Sequence, residues 1–127
     1  MLDSDIIIAM LRNDQAALAA FSRHKEKGSL VVSSFTWYEI MIGCGPLSKK
    51  GQLAQIVDCL EGTGIMYVDD TVATVAARFN ILLSKKGRQI GMADKFIAAS
   101  CVVNGQTLIT RNTKHFEGIP GLKVEAW

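Results

Sequence analysis

Short continuous apolar runs alternate with longer stretches in which apolar residues recur at helical spacing, and this alternation sets the expected elements. Leu30-Val31-Val32-Ser33, Ile65-Met66-Tyr67-Val68, Thr107-Leu108-Ile109-Thr110 and Leu122-Lys123-Val124-Glu125 read as strands, and Met1-Leu2 as the tail of another. Between them the spacing predicts helices. One follows Asp3-Ser4-Asp5 and runs through Leu11. A second covers Gln15 to Lys27 and ends at Gly28. Ser34 is the expected N-cap of a third, which reaches about Ile42 and is closed by Gly43, Gly45 and Pro46. A fourth spans about Lys50 to Glu61 with Leu53, Ile56, Val57 and Leu60 on its apolar side. Thr71 to Lys86 has the cleanest stripe, Val72, Val75, Ala76, Phe79, Leu82 and Leu83, with Asp70 as its expected cap. A last helix starts near Met92, is apolar on more than one face through Phe96, Ile97, Ala99, Val102 and Val103, and stops at Gly105.

Strands separated by helices in this way describe an α/β domain with a mostly parallel sheet covered on both faces. The 127 residues fit one domain, 1–127, and suffice for a core without disulfides or a structural metal. A composition 49% hydrophobic and 20% charged suits such a fold and excludes a disordered or coiled chain. The three cysteines, Cys44, Cys59 and Cys101, lack zinc or CxxC spacing and imply a reducing interior. The apolar run from Ile6 to Leu11 is too short to span a bilayer and has no basic leader before it, so a cytoplasmic location is expected. A net charge of +2 lends only slight support to an anionic partner.

Acidic residues change this picture. Asp94 sits in the first turn of the most enclosed helix, where an isolated acid would simply complement the helix dipole. Asp3 follows the first strand, Glu39 lies in Trp37-Tyr38-Glu39-Ile40, and Asn112 follows the strand ending at Thr110. In open α/β sheets this carboxyl rim is where ligands gather. Two carboxylates about 4 Å apart repel by roughly 4 kcal/mol at an effective dielectric of 20, so acids collected there call for a cation. Oxygen ligands of this kind suit Mg²⁺ or Mn²⁺, which would activate water for attack on a phosphodiester.

Four segments carry a resemblance: Asp3-Ser4-Asp5-Ile6-Ile7-Ile8, Ser33-Ser34-Phe35-Thr36-Trp37-Tyr38-Glu39, Asp94-Lys95-Phe96-Ile97-Ala98-Ala99, and Leu108-Ile109-Thr110-Arg111-Asn112 through Phe116. In that order they resemble PIN-domain ribonucleases, specifically the VapC toxins of type II toxin–antitoxin pairs, and the ending Phe116-Glu117-Gly118-Ile119-Pro120-Gly121-Leu122 is similar as well. The resemblance implies a three-layer αβα domain with a roughly five-stranded sheet and a Mg²⁺-dependent endoribonuclease activity, with Mn²⁺ as a possible substitute. It implies a site of Asp3, Glu39, Asp94 and Asn112, in which Asp3 and Asp94 hold the metal, Glu39 orients a water or acts as base, and Asn112 supports a ligand through its amide. It further implies an RNA substrate, a cognate antitoxin and a homodimer. Asp5 stands where these proteins often have Asn and would add charge to the site, and an amide replaces the fourth acid.

Two other classes use some of the same residues. A haloacid-dehalogenase-type phosphatase would take Asp3 as nucleophile and Asp5 as acid/base but leaves Glu39 without a role, and a non-catalytic binding domain would be either a phosphoacceptor signalling domain, which Asp3, Asp5 and Lys114 fit only loosely, or a toxin-like fold retained for protein contact. Thr110 is read as a support for Asn112 or a phosphate contact, His115 as a surface or packing residue, and Trp37 and Trp127 as packing anchors. Lys49-Lys50 and Lys85-Lys86-Arg88 are read as solvated faces. The helix from Ile6 to Leu11, with the stripe Leu53, Ile56, Val57 and Leu60, is expected to offer a dimer interface.

Overall fold

Alternate residues of a strand face opposite sides of a sheet, so a strand covered on both sides must be apolar throughout. The computed structural model describes residues 1–28, 30–43, 54, 57–58 and 60–127. In it Leu2 bridges in parallel to Val32 on one side and to Ile109 on the other. Val32 belongs to β1 (Val31–Ser33), which pairs in parallel with β2 (Gly64–Met66), and Ile109 to β3 (Thr107–Ile109), which pairs in parallel with β4 (Lys123–Glu125). The order is therefore β2, β1, Leu2, β3, β4, with every described pairing parallel. Where the pattern predicts five strands, the central one is a single bridging residue.

Helices lie on both faces, giving three αβα layers. Leu2, Val32 and Ile109 point into a core with Ile6, Ile7 and Met10 of α1 (Ser4–Leu11), Ala17, Ala20 and Phe21 of α2 (Gln15–Lys27), and Ile40 of α3 (Ser34–Gly43). Their neighbours Met1 and Leu108 point the other way, onto Val72, Ala76 and Phe79 of α4 (Asp70–Lys85) and Ile97, Ala98 and Cys101 of α5 (Met92–Val103). Ile6 and Ile7 are fully buried by their own chain, whereas Ile8, Ala9 and Leu11 of α1 are only partly covered. Of the fourth predicted helix, Leu53 and Ile56 lie outside the described residues, as do Lys49, Lys50, Cys44, Cys59, Gly45 and Pro46. Val57 is exposed and Leu60 buried.

Most helix ends fall where the sequence places them, with two shifts of one residue. Ser33 rather than Ser34 caps α3: its Oγ accepts from the Thr36 N–H at 2.9 Å and lies 3.0 Å from the Thr36 hydroxyl. Asp69 rather than Asp70 caps α4, accepting from the Val72 N–H at 2.8 Å. Met92, the first residue of α5, is 66% exposed and outside the core. Gly105 ends α5 with φ +63°, a backbone that a Cβ would strain. Cys101 is buried beside the Met1 sulfur, and burial pushes its thiol up to about 12, which suits a small hydrophobe.

Candidate active site

Parallel strands deliver their carboxyl ends to one rim, and Asp3 and Thr110 are the residues that leave the sheet there. Asp3 ends the bridging segment, its N–H donating to Ile109 O at 3.0 Å, and its carboxylate caps α1 by accepting from the Ser4 N–H at 2.8 Å. It is only 7% exposed. Burial pushes its carboxyl up to about 6, and the charges of Asp5 and Glu39 push the same way, against the Thr110 hydroxyl and the Ser4 N–H.

Glu39, on α3 and half-buried, is also raised, first by burial and then by the charges of Asp94 and Asp5, with the Ser4 hydroxyl acting in the opposite direction. Asp3 thus responds to Asp5 and Glu39, and Glu39 to Asp5 and Asp94, which links four acids from three parts of the chain in one electrostatic neighbourhood. Among the described residues, no three His, Cys, Asp or Glu side chains form a ready-made metal cage.

Asp5 has a second task beside the charge it adds to the site. Its Oδ2 accepts from the Arg111 N–H at 2.7 Å and the Thr110 hydroxyl at 3.2 Å, and its Oδ1 from the Trp127 indole N–H at 2.9 Å. Both oxygens are engaged in holding the post-β3 turn and the final residue, which leaves no free acid/base of the kind the phosphatase reading needs. The Thr110 hydroxyl stands between the two aspartates, and its single proton, bonded here to Asp5, cannot serve Asp3 at the same moment. Thr110 in turn accepts from the Asn112 N–H at 3.0 Å, so it positions the backbone of Asn112, whose exposed side chain lies at the edge of the rim.

Asp94, in the first turn of α5, is three-quarters covered and meets His115 Nδ1 at 3.4 Å from its Oδ2. His115 belongs to a 3₁₀ turn (Thr113–Phe116) and its N–H donates to Asn112 O at 3.1 Å. The contact of His115 with Asp94 and the bond from Trp127 to Asp5 have no signature in the linear pattern. The Ser4 hydroxyl beside Glu39 had a local clue, since Ser4 separates two acids at a helix start. Trp127 does pack against the core, as its composition suggests, and its ring also lies under the Arg111 guanidinium at 3.8 Å. Arg111 pairs with Asp14 at 3.2 Å.

With this geometry in place, similarity to known proteins gains meaning. The family model described as the PIN domain matches residues 1–122. The chain is 29% identical over 132 residues to the "tRNA(fMet)-specific endonuclease VapC" of Shigella flexneri, covering all of this chain and 96% of that protein. It is 30% identical over 129 residues to "Ribonuclease VapC2" of Haemophilus influenzae, again covering all of this chain and 96% of that protein. Among solved structures it superposes on VapBC2 from Rickettsia felis, bound to a DNA fragment from its promoter, with a TM-score of 0.88 and 25% identity over 100% of this chain and 97% of that one.

Proposed function

The chain belongs to the PIN domain family, and from that premise we propose that it is the endoribonuclease toxin of a type II toxin–antitoxin pair, residues 1–127 forming a single catalytic domain. Relatives matched over 96% of their own length are named as a tRNA(fMet)-specific endonuclease VapC and as a VapC ribonuclease, and a structural neighbour is a VapBC complex. The observation that carries the reading is the buried Asp3 carboxyl, held at about 6 within reach of the charges of Asp5 and Glu39. A fold keeps such a group only if something offsets its ionisation.

Carboxylates, the Asn112 amide and water are hard oxygen ligands, and they fit Mg²⁺ or Mn²⁺. Asp3 and Asp94 are the pair that would hold the ion, with water filling its remaining positions, as Mg²⁺ prefers. When bound, the ion supplies a more acidic water and charge neutralisation at phosphorus. Glu39, its carboxyl raised by burial against the opposing Ser4 hydroxyl, would accept the proton of the attacking water. Asn112 would orient a ligand through its amide, with its backbone fixed by Thr110.

The proposal includes an antitoxin with a basic side chain that enters the acid pocket, since an Arg fork pairs bidentately with carboxylate. It also includes a homodimer, supported by exposed apolar side chains such as Tyr38, Ile42, Val57 and Ile65, and a cytoplasmic location. No helix among the described residues is long and apolar enough to cross a membrane.

Cleavage of RNA by purified protein, with Mg²⁺ and with a chelator, tests this reading. Cleavage is expected with the metal and lost without it, and Asp94→Asn is expected to lower it by at least ~100-fold while the fold is retained. Full Mg²⁺-dependent cleavage by Asp94→Asn would refute the site, and hydrolysis of small phosphomonoesters would revive the phosphatase reading.

A further inference from the structure

Arg88 lies in the loop between α4 and α5, six residues before Asp94, in a stretch whose charge suggests a solvated face. Its guanidinium is occupied otherwise. It donates to the Glu117 carbonyl through Nη1, and through Nη2 to the carbonyls of Lys114 at 3.4 Å and His115 at 3.5 Å. These three carbonyls lie in the 3₁₀ turn and just after it, and that of Lys114 also accepts from the Glu117 N–H at 3.4 Å. A Cβ at Gly118 would come within 3.3 Å of Arg88 Nη1, and Gly118 has φ +73°, so the chain leaves the turn closely around the guanidinium. On the other flank, a Cβ at Gly91 would meet Asp94 Oδ2 at 3.2 Å. The same carboxylate oxygen thus faces the Gly91 backbone on one side and His115 Nδ1 on the other.

We propose that Arg88 is a positioning residue of the acid pocket: by gathering the carbonyls of Lys114, His115 and Glu117, it fixes the 3₁₀ turn so that the His115 ring sets the orientation of the Asp94 carboxylate. Arg is suited to this because its planar fork offers several N–H groups in fixed directions, whereas a Lys ammonium would not span three carbonyls in this arrangement. His115 follows, with Nδ1 3.4 Å from Asp94 Oδ2, and the Nδ1–H form of the ring is the one that would donate to that oxygen. Arg88 touches neither substrate nor reacting atoms. Its effect passes through His115 to Asp94, and the proposal rests on the reading of Asp94 as a metal-holding carboxylate.

The test compares the full chain with Arg88→Gln, His115→Ala, His115→Gln and the Arg88→Gln/His115→Ala double variant. Readouts are the ¹⁵N signature of the imidazole rings, Mn²⁺ affinity by calorimetry, and kcat and KM for RNA. The chain has only two histidines, so the ring spectrum assigns readily. In Arg88→Gln the His115 ring is expected to move from the Nδ1–H toward the Nε2–H form, with Mn²⁺ affinity down about tenfold and kcat falling more than KM rises. His115→Ala is expected to lose as much, the double variant little more, and His115→Gln, whose amide still donates to Asp94, to stay near the wild type. An Arg88→Gln protein with wild-type ring signature and wild-type Mn²⁺ affinity overturns the proposal, as does a double variant whose two losses multiply. A wild-type protein that takes up no Mn²⁺ overturns the metal reading instead, and the ring signature then decides the clamp by itself.

Discussion

Replacing Asp3 by Asn should make the metal-free protein more stable, and only above weakly acidic pH. The Asp3 carboxyl moves from the ordinary 3.8 to about 6 on folding, chiefly through burial. A shift of about two units corresponds to roughly 3 kcal/mol. Because the folded state holds its proton more tightly than the unfolded one, stability falls as pH rises between 3.8 and 6, and the full cost is present above pH 6. Asn keeps the cap on the Ser4 N–H but carries no charge. At pH 7.5 the variant should therefore gain on the order of 2 kcal/mol, or about 8 °C in Tm for a chain this size, and at pH 4 much less than 1 kcal/mol. Urea titrations of both proteins at the two pH values, in chelator and then in Mn²⁺, would read this directly. Saturating Mn²⁺ should stabilise the wild type selectively and narrow the gap. A gap of equal size at pH 4 and 7.5, or a variant less stable at pH 7.5, would refute the argument that burial strains this carboxylate.

Asp5→Asn should lose about 1–3 kcal/mol in urea unfolding, because an amide has one oxygen for the three donors from Thr110, Arg111 and Trp127 and turns an N–H toward one of them. Unchanged stability would show that these bonds are not made in solution. Ser33→Ala should lose about 1–2 kcal/mol, since the cap of α3 and the partner of the buried Thr36 hydroxyl go together, while Ser34→Ala stays within ~0.5 kcal/mol. Equal effects at the two serines, measured by the same denaturation, would move the cap to Ser34.

The sequence by itself determined most of the described helices and the layers, and it named the candidate acids. The helix bounds of Gln15–Lys27 follow from an Asp14 cap, helical spacing and a closing Gly28, all within one short window. The double covering of the sheet is visible because Val31 and Val32, or Leu108 and Ile109, are apolar in succession and face two different cores. Asp3 and Asp94 are legible as the odd acids at the edges of apolar segments, and the PIN resemblance of their surroundings agrees with the family match. Even where local signals compete, as between Ser33 and Ser34 or Asp69 and Asp70, the error is one residue, since either side chain can reach the same free N–H groups. Tertiary structure alone decided how the acids are supported: Asp5 by residues more than a hundred positions away, Asp94 beside His115, and the intervening turn on Arg88. It also decided that Ile6, Ile7 and Met10 of α1 are buried in the chain's own core. Periodicity and capping are set by neighbours three or four residues apart and so leave a trace in the sequence, whereas a hydrogen bond between Trp127 and Asp5 depends on where the sheet brings two distant chain ends, and neither residue's local surroundings record that meeting.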